Sequence, residues 1–282
     1  MNFEVEPLRN TTFGARVTGL KLAMIDEATF ADLYQTWLAY ALLIFPDQHL
    51  SKEEQTTFAL RFGELEFDLV PISNVRKDGT VRPEDDDVIQ LLKGNYGWHH
   101  DSTYVPVQAK GAVFTAHVVP SRGGATGWAD MRAAYDALDE SRRERIANLS
   151  AYHSLRHSQA KIGHIARKGG DYSGYGLDHE PPLRPLVKTH PETQRKSLLL
   201  GRHAYGIVGL AADESEALLQ ELMDFACQPP RIYHHQWEPG EAVLWDNRCL
   251  MHRATPWPMH EPRIMYHARI AGNKTSEFAA HA

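Results

Sequence analysis

Asn95-Tyr96-Gly97-Trp98-His99-His100-Asp101-Ser102-Thr103-Tyr104 sets an imidazole and a carboxylate two positions apart inside a run of aromatic and hydroxyl residues. On a β-strand, residues i and i+2 leave the same face. Read as a strand, the run points His99 and Asp101 one way and His100 the other. That is two thirds of a metal site, and the third donor must come from far along the chain. His252, which follows Trp245-Asp246-Asn247-Arg248, is the candidate. Two His and one carboxylate on one face of a metal, with the other positions open, form the ligand set of non-haem Fe(II) oxygenases. The same donors also suit a zinc hydrolase. An isolated His-x-Asp is more often a surface loop or a packed histidine, so the assignment depends on the rest of the chain.

The bulk properties narrow the class. A chain of 282 residues can bury a substantial core, and barrels of this length are routinely single domains. Hydrophobic and charged contents of 43% and 23% are globular values, and the net charge of −6, without a Lys/Arg-rich run, argues against a nucleic-acid partner. Residues 1–12 are polar and lack the apolar stretch of a signal peptide. No apolar run approaches the ~20 residues of a membrane helix, so no membrane partner is expected. Cys227 and Cys249 sit in no paired motif and read as reduced thiols of a cytoplasmic protein.

Many short strands with a few helices read as a mostly β chain with added helices, a jelly-roll barrel. Strands are expected over 13–20, 41–45, 70–75, 112–119, 185–189, 197–200, 232–237, 242–245 and 263–270. Asp26 caps a helix over 27–40, Ser51 and Glu54 form a capping box, and a further helix begins at Asp213. Residues 133–138 and 141–149 also read as helical. Residues 77–87, with Asp85-Asp86-Asp87, read as a solvated loop or as a segment near an active-site mouth. Residues 88–104 carry the metal strand. Residues 153–175, rich in His, Lys, Gly and Ser, read as a loop, either a lid or a surface excursion.

The last strand discriminates further. Arg263, Met265, His267 and Arg269 share one face, and Ile264, Tyr266, Ala268 and Ile270 the other. A face with two Arg and a His is costly to bury without an anion. It is either the solvent face of an edge strand or the wall of a pocket that binds carboxylates, a task suited to the planar Arg fork.

The order His99-x-Asp101, Thr126 after a Gly-Gly turn, Trp245-Asp246-Asn247-Arg248 before His252, and Arg263 eleven residues later resembles the taurine and 2,4-D dioxygenase family over nearly the whole chain. Trp98-His99-x-Asp101-Ser102-Thr103-Tyr104, Pro185-Leu186-Val187-Lys188 and Gly201-Arg202-His203-Ala204 look most like its (S)-phenoxypropionate (aryloxyalkanoate) branch. The resemblance implies one catalytic domain over 1–282 on a double-stranded β-helix. It implies Fe(II) on His99, Asp101 and His252, with 2-oxoglutarate and O2 as co-substrates. It also implies that Arg263 and Thr126 hold the far carboxylate of 2-oxoglutarate, with Asn95 nearby, and that the enzyme is a homo-oligomer. The expected substrate is a small aromatic anion, oxidised at the carbon beside its ether oxygen. A sulfonate, sulfate ester or amino-acid-derived acid is the alternative. Taurine and 2,4-D enzymes carry a second Arg four positions after the first, where this chain has His267. The candidates for the substrate anion are therefore His267, Arg269, Arg202, His203 and Lys93, with Tyr104 beside them.

Overall fold

Side-chain alternation along four central strands separates two hydrophobic layers. The structure, a computed structural model, describes residues 2–163 and 180–279. In strands Leu42–Phe45, Gly111–Val118, Ala242–Asp246 and Ile264–Ile270, Leu43, Phe45, Val113, Leu244, Ala268 and Ile270 enter one apolar cluster. Leu42, Ile44, Ala112, Phe114, Val243, Trp245 and Met265 enter another. These strands form the middle of a seven-stranded sheet, ordered Glu4–Pro7, Ala15–Thr18, Leu42–Phe45, Ala242–Asp246, Gly111–Val118, Ile264–Ile270, Val70–Ser73. Helices Glu27–Tyr40 and Lys52–Leu60 cover its outer face through Leu33, Trp37, Phe58 and Ala59. The Asp26 cap and the Ser51/Glu54 capping box form as expected.

A three-stranded sheet, Ile232–His235, Thr126–Asp130, Leu250–Ala254, forms the second layer. Trp128 and Leu250 point inward and meet Trp245 in the inter-sheet core. Ala129 and Met251 point outward against helices Met131–Asp136 and Ala212–Ala226. Two mainly antiparallel sheets built from interleaved parts of the chain are the expected jelly roll. The expected strands at 185–189 and 197–200 form as Val187–Thr189 and Lys196–Leu198, paired in an antiparallel hairpin. No helix among the described residues is long and apolar enough to cross a membrane.

The structure departs from the sequence reading in four places. Asn95–Tyr104 is not a strand: a 3-10 turn over Gly94–Tyr96 precedes one bridge residue, His99, and then turns. The acidic trio is a helix start, because Asp86 caps Asp87–Lys93 and pairs with Arg76 and Arg82 at 2.9 and 3.1 Å. Strands Thr126–Asp130, Ser150–His153, Ala204–Ile207 and Leu250–Ala254 lie where no strand was expected. Leu155–Ala160 is helical inside the expected loop 153–175, whose residues 164–175 lie outside the described ones.

Candidate metal centre and co-substrate pocket

His252 follows the inward Leu250 by two positions, so strand geometry turns it toward the inter-sheet space. Reciprocal backbone hydrogen bonds then fix His99 beside it: His99 N donates to His252 O at 3.0 Å, and His252 N donates to His99 O at 2.8 Å. Asn247 sets the third donor, accepting from Asp101 N at 2.8 Å and donating to Asp101 O at 3.0 Å. His100 turns away, its Nδ1 lying 2.7 Å from Asn247 O. A convergent site therefore arises from one bridge and a pinned turn, not from strand alternation at 99–101.

Donor atoms of His99, Asp101 and His252 lie within 4.8 Å of one another. His99 Nδ1 donates to Gly97 O at 2.8 Å, because a carbonyl only accepts, and this leaves Nε2 unprotonated for a metal. Asp101 Oδ2 and His252 Nδ1 are buried without a hydrogen-bond partner, a deficit unusual in a folded interior. Burial lowers the His99 pKa to about 4 and that of His252 well below its ordinary value. Burial pushes the Asp101 carboxyl up, but Arg269, then His252, His267 and His99, more than reverse this and hold it below the usual carboxylate range. Neutral imidazoles around an ionised carboxylate are ready to bind a divalent cation. The other His/Asp/Cys cluster, His190–Asp246–Cys249, differs. His190 Nε2 donates to Asp246 at 2.9 Å, its Nδ1 accepts from two backbone N–H groups, and Arg248 occupies both Asp246 oxygens. Those donors are spent on structure.

Arg263 is only 2% exposed, yet no carboxylate among the described residues pairs with it. Its Nη2 donates to Gly124 O at 3.1 Å, its Nε has no partner, and its guanidinium lies 5.1 Å from the Trp257 ring centre. Burial lowers its pKa to about 10, so it remains charged at neutral pH. The Gly-Gly turn permits this approach: Gly124 has φ +65°, and a Cβ there would sit 3.2 Å from Arg263 Nε. Thr126 begins the adjoining strand and accepts from Trp237 Nε1 at 2.9 Å. Asn95 is half-buried in the 3-10 turn before the metal ligands.

The candidates for the substrate anion separate. Arg269 Nη2 lies 2.9 Å from Asp101 Oδ1, and His267 Nε2 lies 3.5 Å from Asp101 Oδ2. His267 stacks on Trp245 at 5.4 Å, and burial lowers its pKa to about 4. Arg202 is half-buried and, among the described residues, its guanidinium donates to neutral groups, Ser158 O at 3.0 Å and Gln159 Oε1 at 3.4 Å. Its backbone N donates to Trp98 O, and the preceding Gly201 comes so close that a Cβ would lie 3.0 Å from His99 Cα. His203 is buried, edge-on to His99 at 5.7 Å and to Tyr104 at 4.8 Å. Lys93 ends helix Asp87–Lys93, half-buried.

Three supporting residues escaped the sequence reading. Trp237 orients Thr126 and Asn247 orients Asp101. Arg184, 3% exposed, donates to Thr103 O and Val105 O at 2.6 Å and so ties down the turn after Asp101. A buried Arg inside a short strand signals an internal partner, but not which one, since its partners are backbone carbonyls.

A buried His-Asp-His cluster between the sheets of a jelly roll, with an uncompensated guanidinium on the inner wall, defines a class of oxygenase. The chain belongs to the taurine catabolism dioxygenase TauD, TfdA family, whose family model matches residues 4–269. It is an Fe(II)-dependent enzyme with 2-oxoglutarate and O2 as co-substrates. Within the family it is 64% identical over 281 residues to an (S)-phenoxypropionate/alpha-ketoglutarate-dioxygenase of Sphingobium herbicidovorans, covering 98% of both chains. It is 56% identical to a protein of the same name from Delftia acidovorans, covering 95% of each. The solved structure of AAD-2 in complex with Mn(II) and N-oxalylglycine superposes with a TM-score of 0.91 at 36% identity, covering 100% of both chains.

Proposed function

We propose that this chain hydroxylates the ether-bearing carbon of (S)-2-aryloxypropionates and related aryloxyalkanoates, as one catalytic domain over 1–282 acting in the cytoplasm as a homo-oligomer. The names of the two most similar relatives reported above support the substrate class. The observation that carries it is Arg202: a half-buried cation beside the His99 backbone, with no carboxylate near it among the described residues. Such a group is suited to the substrate carboxylate, with His203 and Tyr104 against it.

His99, Asp101 and His252 would hold Fe(II), which with O2 and 2-oxoglutarate would supply the oxidising power to put an oxygen into a C–H bond, 2-oxoglutarate leaving as succinate and CO2. The protein's part is placement. Arg263 and Thr126 fix the far carboxylate of the keto diacid, and Asn95 lies at its side. Thr126 Oγ accepts from Trp237, a donor-only group, so its own O–H is free to donate to that carboxylate. Arg202 holds the substrate so that its C2–H reaches the reacting position, within ~3–3.5 Å. Phe114, Trp245 and the ring of His267 pack against one another beside Asp101. Hydroxylated C2 is a hemiketal. Its hydroxyl proton passes to the aryl oxygen as the C–O bond breaks, releasing a phenol and pyruvate.

Succinate release from each enantiomer of a 2-aryloxypropionate, with and without Fe(II), tests this reading. Fe(II)-dependent release with the (S) acid above the (R) acid is expected. A larger rate with a sulfonate, sulfate ester or amino-acid-derived acid would transfer the same chemistry to that class.

A further inference from the structure

We propose that Arg269 is a positioning residue of the metal centre: held from behind by Glu66 and Ser102, it caps one oxygen of Asp101 so that only the other faces the ion. The inference rests on reading His99, Asp101 and His252 as the ligands.

Arg269 and Arg263 leave the same face of one strand, but their surroundings are opposite. Arg263 has no anion among the described residues. Arg269 has two: Nη2 lies 2.9 Å from Asp101 Oδ1, and Nη1 lies 3.7 Å from Glu66 Oε2. Nη1 also donates to Ser102 Oγ at 3.2 Å, and Ser102 Oγ lies 2.8 Å from Glu66 Oε2. A hydroxyl has one proton, and both carboxylate lone pairs and guanidinium donors have fixed roles, so Ser102 accepts from Arg269 and donates to Glu66. The chain Glu66–Ser102–Arg269–Asp101 is thereby ordered in one direction. Its base is rigid. Glu66 N donates to Arg269 O at 2.9 Å, and the guanidinium lies 5.0 Å from the Phe67 ring centre. Ser102 is fully buried with φ +58°, a left-handed conformation that aims its hydroxyl at Arg269 directly after the ligand.

The consequence for Asp101 is geometric. Oδ1 is occupied by the guanidinium, while Oδ2 has no hydrogen bond and faces His252 Nε2 at 3.6 Å and His267 Nε2 at 3.5 Å. Binding through both oxygens would break the Arg269 pair. A guanidinium whose charge is already shared by two carboxylates has little left for a substrate anion, which separates Arg269 from Arg202.

Calorimetric titration of the metal-free protein with Mn(II) tests the proposal without turnover. Asp101→Ala should abolish binding; retention of full affinity would remove the ligand assignment and the inference with it. Arg269→Gln should bind Mn(II) about 10- to 100-fold more weakly, the usual loss when an outer-shell partner is removed, and Arg269→Lys should recover part of it. At saturating Fe(II), the KM of Arg269→Gln for the aryloxy acid should stay within about twofold of wild type. Unchanged Mn(II) affinity in a protein where Asp101→Ala abolishes it overturns the inference alone. So does a raised substrate KM with Mn(II) affinity intact, which would make Arg269 a substrate anchor. If Arg269→Gln does not fold, Arg269→Lys decides: a single ammonium cannot span Asp101 and Ser102 as the planar guanidinium does, and wild-type Mn(II) affinity there would overturn the proposal.

Discussion

Replacing Arg263 with Met probes the co-substrate pocket most directly. The guanidinium is 2% exposed, donates one hydrogen bond to Gly124 O, and lacks a carboxylate among the described residues. In the metal-free, ligand-free protein it is a buried charge with poor compensation, so its removal should cost the fold little. Met fills much of the same volume, and the change in unfolding free energy should be within about 1 kcal/mol of zero. Binding behaves oppositely. A 2-oxoglutarate carboxylate seated there loses its ionic partner while Thr126 remains, and leaving a buried charge without its partner costs about 3–5 kcal/mol. At 1.4 kcal/mol per decade this is roughly a 10²- to 10⁴-fold weaker Kd. The assay is anaerobic titration of 2-oxoglutarate into Mn(II)-loaded wild type and Arg263→Met, with urea unfolding of the metal-free proteins alongside. A near-normal Kd in the variant would refute Arg263 as the anchor. A loss of several kcal/mol in stability would show that the guanidinium serves the fold.

Trp237→Phe keeps the ring and deletes the donor to Thr126, so 2-oxoglutarate affinity should fall by about 0.5–1.5 kcal/mol while the KM for the aryloxy acid is unchanged; separate titrations of the two KM values check this. Asp246→Asn should destabilise the protein by about 3–5 kcal/mol in urea unfolding, because Arg248 and His190 lose their buried carboxylate. His100, His153 and His203 are buried, and burial lowers their pKa values, that of His100 to about 4 and the others well below the ordinary value. Below pH 6.5 the unfolded chain binds protons that the folded chain excludes. Stability is therefore full above pH 6.5 and falls as the pH drops toward 4, by up to about 1.4 kcal/mol per pH unit for each His. Urea midpoints of the metal-free protein at pH 7 and pH 5 measure it, and His153→Phe should flatten the slope.

The jelly roll was legible because its central strands are short apolar runs bounded by turn residues, and the two outer helices announce themselves through Asp26 and Ser51. The His99–Asp101–His252 cluster was legible as residue types and spacing, but not for the reason the spacing suggested. His99 and Asp101 converge because His99 is bridged to His252 and Asp101 is clamped by Asn247, contacts that span about half the chain and leave no local period. The strand Leu250–Ala254 was hidden because its run of Cys, Leu, Met, His and Arg mixes a buried outward Met251 with an inward His252. The acidic trio misled because three carboxylates in a row look solvated, whereas Asp86 is spent on a helix start and two arginines.

The shared face of Arg263, His267 and Arg269 left two readings open in the sequence, a solvated edge or a carboxylate-binding wall. Burial selects the wall, and the partners then divide it. Asp101 and Glu66 take up Arg269, while Arg263 and, from another segment, Arg202 have no carboxylate partner among the described residues. Asp101, Glu66, Arg269, Arg263 and Arg202 together carry one positive charge. Fe(II), dianionic 2-oxoglutarate and a monocarboxylate substrate together carry one negative charge. Fe(II) and 2-oxoglutarate cancel each other, so the remaining positive charge is matched by one monoanion, and a dianionic substrate would leave a buried negative charge in a medium that penalises it strongly. This charge balance favours a monoanionic acid over a second diacid in the substrate position. Under the proposed function, a neutral imidazole at His267 leaves the substrate anion to Arg202, whose backbone N donates to Trp98 O beside His99.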